Sequence, residues 1–576
     1  MNVFKGVALG LGLLVVLMLL NPPGKYAPKA SQSAWWTQGT APDIVPTCGG
    51  ATSRAIPEVS GAGLALIDVN GDGVLELLIA NGSTLDAPDA GPGCRLFQRT
   101  HGVWSDVTDD VELAVLGWAT SATPFDLDGD GDSDVYITRI GPDVLLRNDG
   151  GRFADITAEA GIDSPAWGTA AAAGDVNGDG WTDLYIANYL HWDFDAPLPH
   201  DVRFMGVDVL AGPHGLAPQA DVLYLNNGDG TFRDATVASG AVDVAPSYAL
   251  NAVITDFDGD GRQDVLVGND TMPNVLLTHA EQAGDAMHLI DTAARRGLAT
   301  NADGGAQATM GLAIGDINHD GRPDVFSTNF SSDTNTLHAS TPDGWFADRT
   351  QAFGLGLPSR PFLGWTVFLF DADLDGDEDL TVLNGHVYPS ADMDTMDSDW
   401  AQDVLLMERD GDRFKRRVAK PSQWASAPAA HRAAVLGVLD PGLGVELVAA
   451  PHGAPIELVQ HTGNGPLRRV TLQLHDGRPG IGNREGHGAH LAITDRERTQ
   501  HRWITTSSPF QGASAAQVHV SVPTDAESLQ VTVDWPDGPS TRHVVKLTGH
   551  DASIIVLRRS EASATARPLQ TNKPIS

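Results

Sequence analysis

Six stretches of this chain alternate acidic or amide side chains through a tight, glycine-bearing turn: DVNGDGVLE (68–76), DLDGDGDSD (126–134), DVNGDGWTD (175–183), DFDGDGRQD (256–264), DINHDGRPD (316–324) and DADLDGDED (371–379). Counted from the first Asp, positions 1, 3, 5 and 9 are Asp, Asn or Glu in every stretch, and position 6 is Gly. Oxygens spaced in this way around a turn converge on one hard cation, and position 7 can add its backbone carbonyl. Glycine at position 6 permits the bend where a side chain would clash. A donor set made only of oxygen favours calcium over transition metals. Magnesium, which holds its waters, fits less well. The candidate ligands are Asp68, Asn70, Asp72, Val74 and Glu76; Asp126, Asp128, Asp130, Asp132 and Asp134; Asp175, Asn177, Asp179, Trp181 and Asp183; Asp256, Asp258, Asp260, Arg262 and Asp264; Asp316, Asn318, Asp320, Arg322 and Asp324; and Asp371, Asp373, Asp375, Asp377 and Asp379. Val74, Asp132, Trp181, Arg262, Arg322 and Asp377 enter as the position-7 carbonyls. One Ca2+ for each of the six loops is expected.

The first half of each stretch matches an EF-hand loop, which would require Glu at position 12. Position 12 is instead Ile79, Ile137, Ile186, Val267, Ser327 and Val382. A short apolar run follows each position-9 acid, so each loop joins two strands rather than two helices. Asp side chains also cap ordinary turns. Position 9 lies beyond the turn, and it is what sets these loops apart.

The elements that must hold the loops repeat as well. A seventh stretch, VLDPGLGVE (438–446), keeps the place but has lost most of its acids, and successive starts are separated by 58, 49, 81, 60, 55 and 67 residues. Small apolar runs such as GLALI, TAAAAG and NAVIT precede the loops, and LLIA, VYIT and VLVG follow them. Farther on come hairpin-like segments, LLRNDGGRFADIT (145–157), LYLNNGDGTFRDAT (223–236), TLHASTPDGWFADRT (336–350) and LLMERDGDRFKRR (405–417), with turn residues at their tips. One strand pair plus one hairpin makes a four-stranded propeller blade. The reading is all-β: a seven-bladed β-propeller over 45–465, with six intact calcium loops and one degenerate. Closing the ring removes exposed sheet edges.

The chain has 576 residues, 42% hydrophobic, with 37 Lys plus Arg against 74 Asp plus Glu and a formal charge of −37. That balance excludes a nucleic-acid partner, which needs clustered basic side chains. At the N-terminus Lys5 precedes an apolar run from Gly6 to Leu20, ended by Asn21, Pro22 and Pro23. Residues 1–22 are therefore a signal peptide or an uncleaved membrane anchor, and the remainder is exported: periplasmic, cell-surface or secreted. Residues 23–44 read as a linker. In an oxidising compartment the only two cysteines, Cys48 and Cys94, are expected to form a disulfide.

From 466 to 558 the acidic loops give way to alternating runs, including RRVTLQLHD, GAHLAITD, QVHVSV and LQVTVDW, which predict a small β-sandwich. The tail 559–576 is polar and reads as disordered. His475, His487, His490 and His501 stand 12, 3 and 11 residues apart, without the paired spacing of zinc sites. His386 and His452 read as turn residues. Trp118, Trp167 and Trp365 begin blade strands and read as packing between blades, with sugar contact at one propeller face as the alternative. An insertion at about 188–220 carries Asp193, Asp195, His200 and Asp201, the one segment free to build a catalytic cluster.

The loops resemble FG-GAP (VCBS-type) repeats, the calcium loops of integrin-α-like propellers. NNGDGTFRDAT, LNGHVYP (383–389) and GPHGL (212–216) resemble the bacterial and animal family typified by cartilage acidic protein. GIGNREGHGAHLAIT (480–494) and VTVDWPDG (531–538) resemble its C-terminal ASPIC/UnbV domain. His487 and His490 replace an Ile and an Arg of that domain's pattern, and VHVSVP (518–523) stands where it has a FGLG-like stretch. The resemblance implies extracellular-matrix, cell-surface or adhesion-like roles and nothing sharper; that family has no firmly assigned catalysis. Together these readings describe a calcium-binding scaffold for a protein or glycan partner. The alternative is a calcium-dependent lyase or hydrolase acting on polysaccharide.

Overall fold

The computed structural model describes residues 34–568 except 51–52, 199–201, 281–286, 390, 393–395, 397, 419–423, 425–426, 442–443, 464, 497, 507–508, 548–553 and 561–564. The expected signal or anchor lies outside the described residues, as do His200 and Asp201. Among the described residues no helix is long and apolar enough to cross a membrane.

Each acidic loop connects an inner strand to a second strand that begins on the position-9 acid. In blade 2, Ala119–Phe125 leads into the loop and Asp134–Arg139 returns antiparallel, with Phe125 paired to Asp134. The hairpin Val144–Asn148 and Phe153–Asp155 completes the sheet. Seven sheets are built to this plan among the described residues, six with four strands and one, in blade 1, with a fifth strand added from far along the chain. Their inner strands are Gly63–Ile67, Ala119–Phe125, Gly168–Gly174, Ala249–Thr255, Leu312–Gly315, Gly364–Phe370 and His431–Gly437, numbered here as blades 1 to 7. These strands are buried on both faces, which explains why they read as small apolar runs rather than as alternating ones.

Side chains on several inner strands latch one blade to the next. Thr169 donates to the Ala249 carbonyl (2.9 Å), Asn251 to that of Met310 (3.2 Å) and Thr366 to that of Arg432 (2.9 Å). The last interface closes the circle: Leu64, Leu66 and Leu77 of blade 1 pack with Val435, Val448 and Leu458 of blade 7.

Blade 7 takes its outermost strand from the other end of the chain. Trp36–Gln38, in the segment read as a linker, pairs antiparallel with Glu457–His461. Trp36 is buried and stacks on Phe370 of blade 6, with ring centroids 5.7 Å apart. After His461 the chain turns directly into the next domain, so the fourth strand has to come from elsewhere.

That domain is a sandwich of two four-stranded sheets. One orders Gln517–Pro523, Leu467–Asp476, Ile554–Arg559 and Thr565–Pro568; the other orders Arg498–Trp503, His490–Asp495, Ser528–Asp534 and Thr541–Lys546. Thr565–Pro568 falls in the tail expected to be disordered. Its backbone instead pairs with Ile555–Arg558, which would otherwise be an open sheet edge. The crossover between Trp503 and Gln517 leaves the sandwich and enters the propeller's central channel. There Gly512–Ala513 pairs parallel with Leu64–Ala65 of blade 1. Ser514 accepts the Leu436 N–H of blade 7 (3.0 Å), and Thr506 accepts that of Ala173 of blade 3 (3.0 Å).

The expected disulfide is absent: Cys48 and Cys94 are free thiols. Cys94 is packed in the core between blades 1 and 2. Cys48 lies in a different cluster, with Val59 and Trp118; its thiol donates to the Pro57 carbonyl (3.2 Å) and accepts the Gly61 N–H (3.2 Å). Burial pushes the two thiols up to about 11 and about 12 respectively. They are two core side chains in separate packing environments. Mass spectrometry of the unreduced, alkylated protein is expected to find two free thiols that label only after unfolding. Trp36→Ala is expected to cost about 3–5 kcal/mol, read as a lower first melting transition. An unchanged melt would mean that the borrowed strand does not hold the ring closed.

Candidate metal centre

The six acidic loops share one hydrogen-bond scheme. The position-1 carboxylate accepts the N–H of the position-6 glycine at 2.8–3.1 Å. The position-5 carboxylate accepts the N–H of position 7 at 2.8–3.0 Å. The position-9 carboxylate reaches back to accept the N–H of position 2 at 2.7–3.0 Å. The position-6 glycines hold φ between 80° and 104°, a region closed to most side chains. Position 9 therefore closes the turn as well as heading the next strand. Turn closure alone accounts for these bonds, but not for the charge they gather.

That charge is concentrated and buried. Asp175, Asp183, Asp264 and Asp324 are fully buried, and Asp134, Asp379 and Glu76 nearly so. Burial pushes the carboxyls of Asp126 and Asp175 up to about 7 and that of Asp134 to about 8. In loops 2, 4 and 6, oxygens of Asp126, Asp128 and Asp134, of Asp256, Asp258 and Asp260, and of Asp371, Asp373 and Asp379 converge within 4.8 Å of one another. Asp264 Oδ1 is buried without a hydrogen-bond partner. Oxygen-only clusters fit a hard cation, and these residues could hold one; in loop 4 Arg296 and Arg262 already pair with Asp258 (2.6 Å) and Asp260 (2.5 Å).

In several blades a residue at the end of the third strand ties its blade to the loop of the blade before it. Asn148 donates to the Val69 carbonyl of loop 1 (2.8 Å), Asn226 to that of Leu127 in loop 2 (2.9 Å), and the His461 ring bonds that of Ala372 in loop 6 (2.8 Å). Asn148 and Asn226 read from sequence only as turn residues. Their place in the hairpin register is the signal that could have found them. In blade 1 the same register position is Arg99, and it faces the degenerate seventh loop. Its guanidinium forms a bidentate pair with the buried Glu446, the surviving position-9 acid, at 2.8 and 2.5 Å. Arginine there fills the role that a cation would fill in the intact loops.

A family model described as FG-GAP-like repeat matches residues 68–137, 126–186, 207–267 and 297–382, and one described as ASPIC and UnbV matches residues 480–563. The chain is an FG-GAP-like repeat protein with a C-terminal ASPIC/UnbV domain. No curated protein matches it. Among solved structures, the exotype rhamnogalacturonan lyase YesX is 13% identical, with 70% of this chain and 72% of that chain covered and a TM-score of 0.36. The rhamnogalacturonan lyase PL11 of Bacillus licheniformis is 12% identical over 75% and 76%, with a TM-score of 0.35. BBS1N in complex with ARL6DN is 10% identical over 75% and 98%, with a TM-score of 0.39.

The ASPIC/UnbV domain sits over the FG-GAP loops and supplies them with arginines. Arg484, inside the N-R-E-G-H-G-A-H stretch, pairs with Asp126 of loop 2 (3.2 Å) and donates to the Gly129 carbonyl. Arg498 reaches Asp377 (3.3 Å) and Arg502 reaches Glu378 (3.3 Å), both in loop 6. The Gly482 and Asn483 N–H groups donate to the Gly180 carbonyl of loop 3 (3.0 Å each), with Gly482 against Trp181 and the Ile481 side chain against Gly180. Of the histidines, His490 and His501 come together across adjacent strands, with Nε2 to Nδ1 at 2.9 Å, and His490 also contacts Asp534 (2.9 Å). His475 and His487 do not join them in any metal-sized cluster among the described residues. Asp193 and Asp195 of the insertion are exposed. Trp118, Trp167 and Trp365 gather in one cluster at the end of the ring opposite the loops.

Two predictions follow from the charge. A carboxyl raised on folding adds stability only below its unfolded value near 3.8, and loses it as pH climbs through the folded value of about 7 for Asp126 and about 8 for Asp134. The metal-stripped chain is therefore expected to melt at lower temperature at pH 8 than at pH 5. Added cation should recover most at pH 8, and a chelator without effect at pH 8 would contradict this. Arg99→Met leaves Glu446 buried and unpaired, and is expected to cost about 3–5 kcal/mol. The loss should be equal with metal or with chelator, and Arg99→Met combined with Glu446→Gln should regain most of it.

Proposed function

We propose that the chain is an exported scaffold whose FG-GAP loops carry calcium and whose propeller presents a binding surface to a protein or glycan partner. The observation that carries this reading is the set of converging carboxylates in loops 2, 4 and 6, buried in loop 6 and mostly so in loop 2, together with the same hydrogen-bond scheme in all six loops. Calcium is the cation that fits oxygen-only loops with a backbone carbonyl at position 7, and FG-GAP repeats commonly bind it. FG-GAP repeat proteins are typically extracellular. Millimolar calcium there fills sites of about 10⁻⁴–10⁻³ M. The sites are structural on this reading: each ion would sit among ligands from one loop and hold an inner strand, its second strand and the neighbouring blade's latch residue together. An N-terminal membrane tether is compatible with the same role.

The alternative, a polysaccharide-active enzyme, needs an acid and a base that converge outside the loops. The insertion's Asp193 and Asp195 point to no such pair, being exposed side chains. A calcium titration of the chelator-treated chain, followed by calorimetry and melting, tests the proposal. Several sites per chain and a raised melting temperature are expected, with magnesium at the same concentration doing less. Absence of both effects would sink the calcium role. Release of unsaturated or reducing ends from a polysaccharide would replace the scaffold with the enzyme.

A further inference from the structure

On the face of the ring opposite the acidic loops lies a cavity of about 330 Å³. Trp167, Tyr189, Phe204, Phe330 and Tyr388 line it, and Phe510 and Gln511 close it from below, at the far reach of the segment that fills the channel. Phe204 is brought in by the insertion: the two-stranded hairpin of Arg203–Phe204 and Val207–Asp208 sets its ring 5.8 Å from Phe330 and 5.6 Å from Tyr388. The 188–220 segment, which the scaffold reading leaves without a role, thus supplies part of this wall.

Three features describe what would fit. The ring pairs are edge-on or tilted, 89° for Trp167 with Tyr189, 70° for Phe204 with Phe330 and 59° for Phe330 with Tyr388. They make a bowl rather than the parallel slot that a flat heterocycle needs. Two of the lining residues also carry buried polar atoms without partners. Gln511 is 1% exposed, and neither its amide nitrogen nor its amide oxygen has a hydrogen-bond partner. The indole N–H of Trp167 has none either. Buried polar groups are rarely left so, and such exceptions mark ligand or water sites. Finally, Asp270 turns one oxygen to the Tyr189 hydroxyl (2.7 Å), and the imidazole of His214, another wall residue, acts electrostatically on the same carboxylate. A donor, an acceptor and a carboxylate around aromatic walls call for a ligand whose polar groups both give and take hydrogen bonds while another face is apolar. A planar base fails on shape. An organic cation would leave the Trp167 and Gln511 N–H groups unmatched. It would also meet Trp365 with the Arg432 guanidinium already over its ring, at 4.5 Å.

We propose that this cavity binds one pyranose unit of a neutral glycan. The sugar's C–H face lies against the aromatic bowl, and its hydroxyls bond Gln511, Trp167 and Asp270. This deepens the scaffold reading by naming a ligand class, yet it stands on the opposite face from the metal loops. Melting with chelator tests the loops and sugar binding tests the cavity, so either can fail alone.

The test is calorimetry and tryptophan fluorescence on the full chain in calcium. The probes are methyl glycosides of glucose, galactose, mannose, rhamnose and N-acetylglucosamine, with adenosine and choline as the flat and cationic comparisons. At least one glycoside is expected to bind saturably, and adenosine and choline are not. A trisaccharide ending in the preferred unit then tells a chain end from a free sugar. Trp167→Phe keeps the ring and removes the N–H. Gln511→Asn keeps an amide suited to the local φ of 48° but shortens its reach. Each is expected to weaken binding roughly tenfold with an unchanged melting temperature. The proposal is overturned if no glycoside saturates, which would leave the cavity to water. It is also overturned if adenosine or choline binds instead, or if both variants bind as the parent does.

Discussion

A carboxylate buried at the head of a β-strand is expensive to keep charged, and this molecule repeats that arrangement around a ring. Glu76, Asp134, Asp183, Asp264, Asp324 and Asp379 each open the second strand of a blade. Each folds back on its own loop, so strand pairing and loop shape cannot be separated. At loops 1 and 2 the neighbouring blade bonds the same loop through its third strand, by Asn148 and Asn226. Local electrostatics and the packing of adjacent blades are one structure. The seventh blade shows the alternative solution, with Arg99 placed against Glu446. A guanidinium supplied by the adjacent blade makes that joint independent of any dissolved ion.

The ASPIC/UnbV domain belongs to the same electrostatic problem. Its arginines Arg484, Arg498 and Arg502 face loops 2 and 6. They place fixed positive charge on a chain with a formal excess of 37 negative charges. Side chains of this kind hold two domains in register as well as lowering repulsion. The channel segment adds a purely structural tie, because its backbone and hydroxyls bond inner strands of blades 1, 3 and 7. The ring and the sandwich therefore share hydrogen bonds at the centre and ion pairs at the rim.

Much of this was legible in the residues. Repeating loop motifs, the shift from EF-hand spacing at position 12 and the hairpin turns lead directly to blades, because each depends on short-range pattern. What escaped depends on contacts between distant parts of the chain. Trp36–Gln38 carries no strand signal of its own and becomes a strand only because blade 7 lacks one. Cys48 and Cys94 suited a disulfide by number and compartment, but packing puts them in different cores. Arg99 and Arg484 look like ordinary surface arginines until Glu446 and Asp126 are placed opposite them. Trp118, Trp167 and Trp365 read together as blade-starting residues at one propeller face, and the closed ring gathers them in one cluster.

The segment between Trp503 and Gln517 gives the chain an order of assembly. All seven inner strands are synthesised before it, yet their shared middle stays open until it arrives. A chain emerging from its N-terminus, whether from a ribosome or through an export pore, would carry an unfinished ring for most of its length. Its borrowed first strand would wait for blade 7, and its hollow axis would wait for residues made later still. Circumference and axis would then be completed late, by segments from distant parts of the same polypeptide.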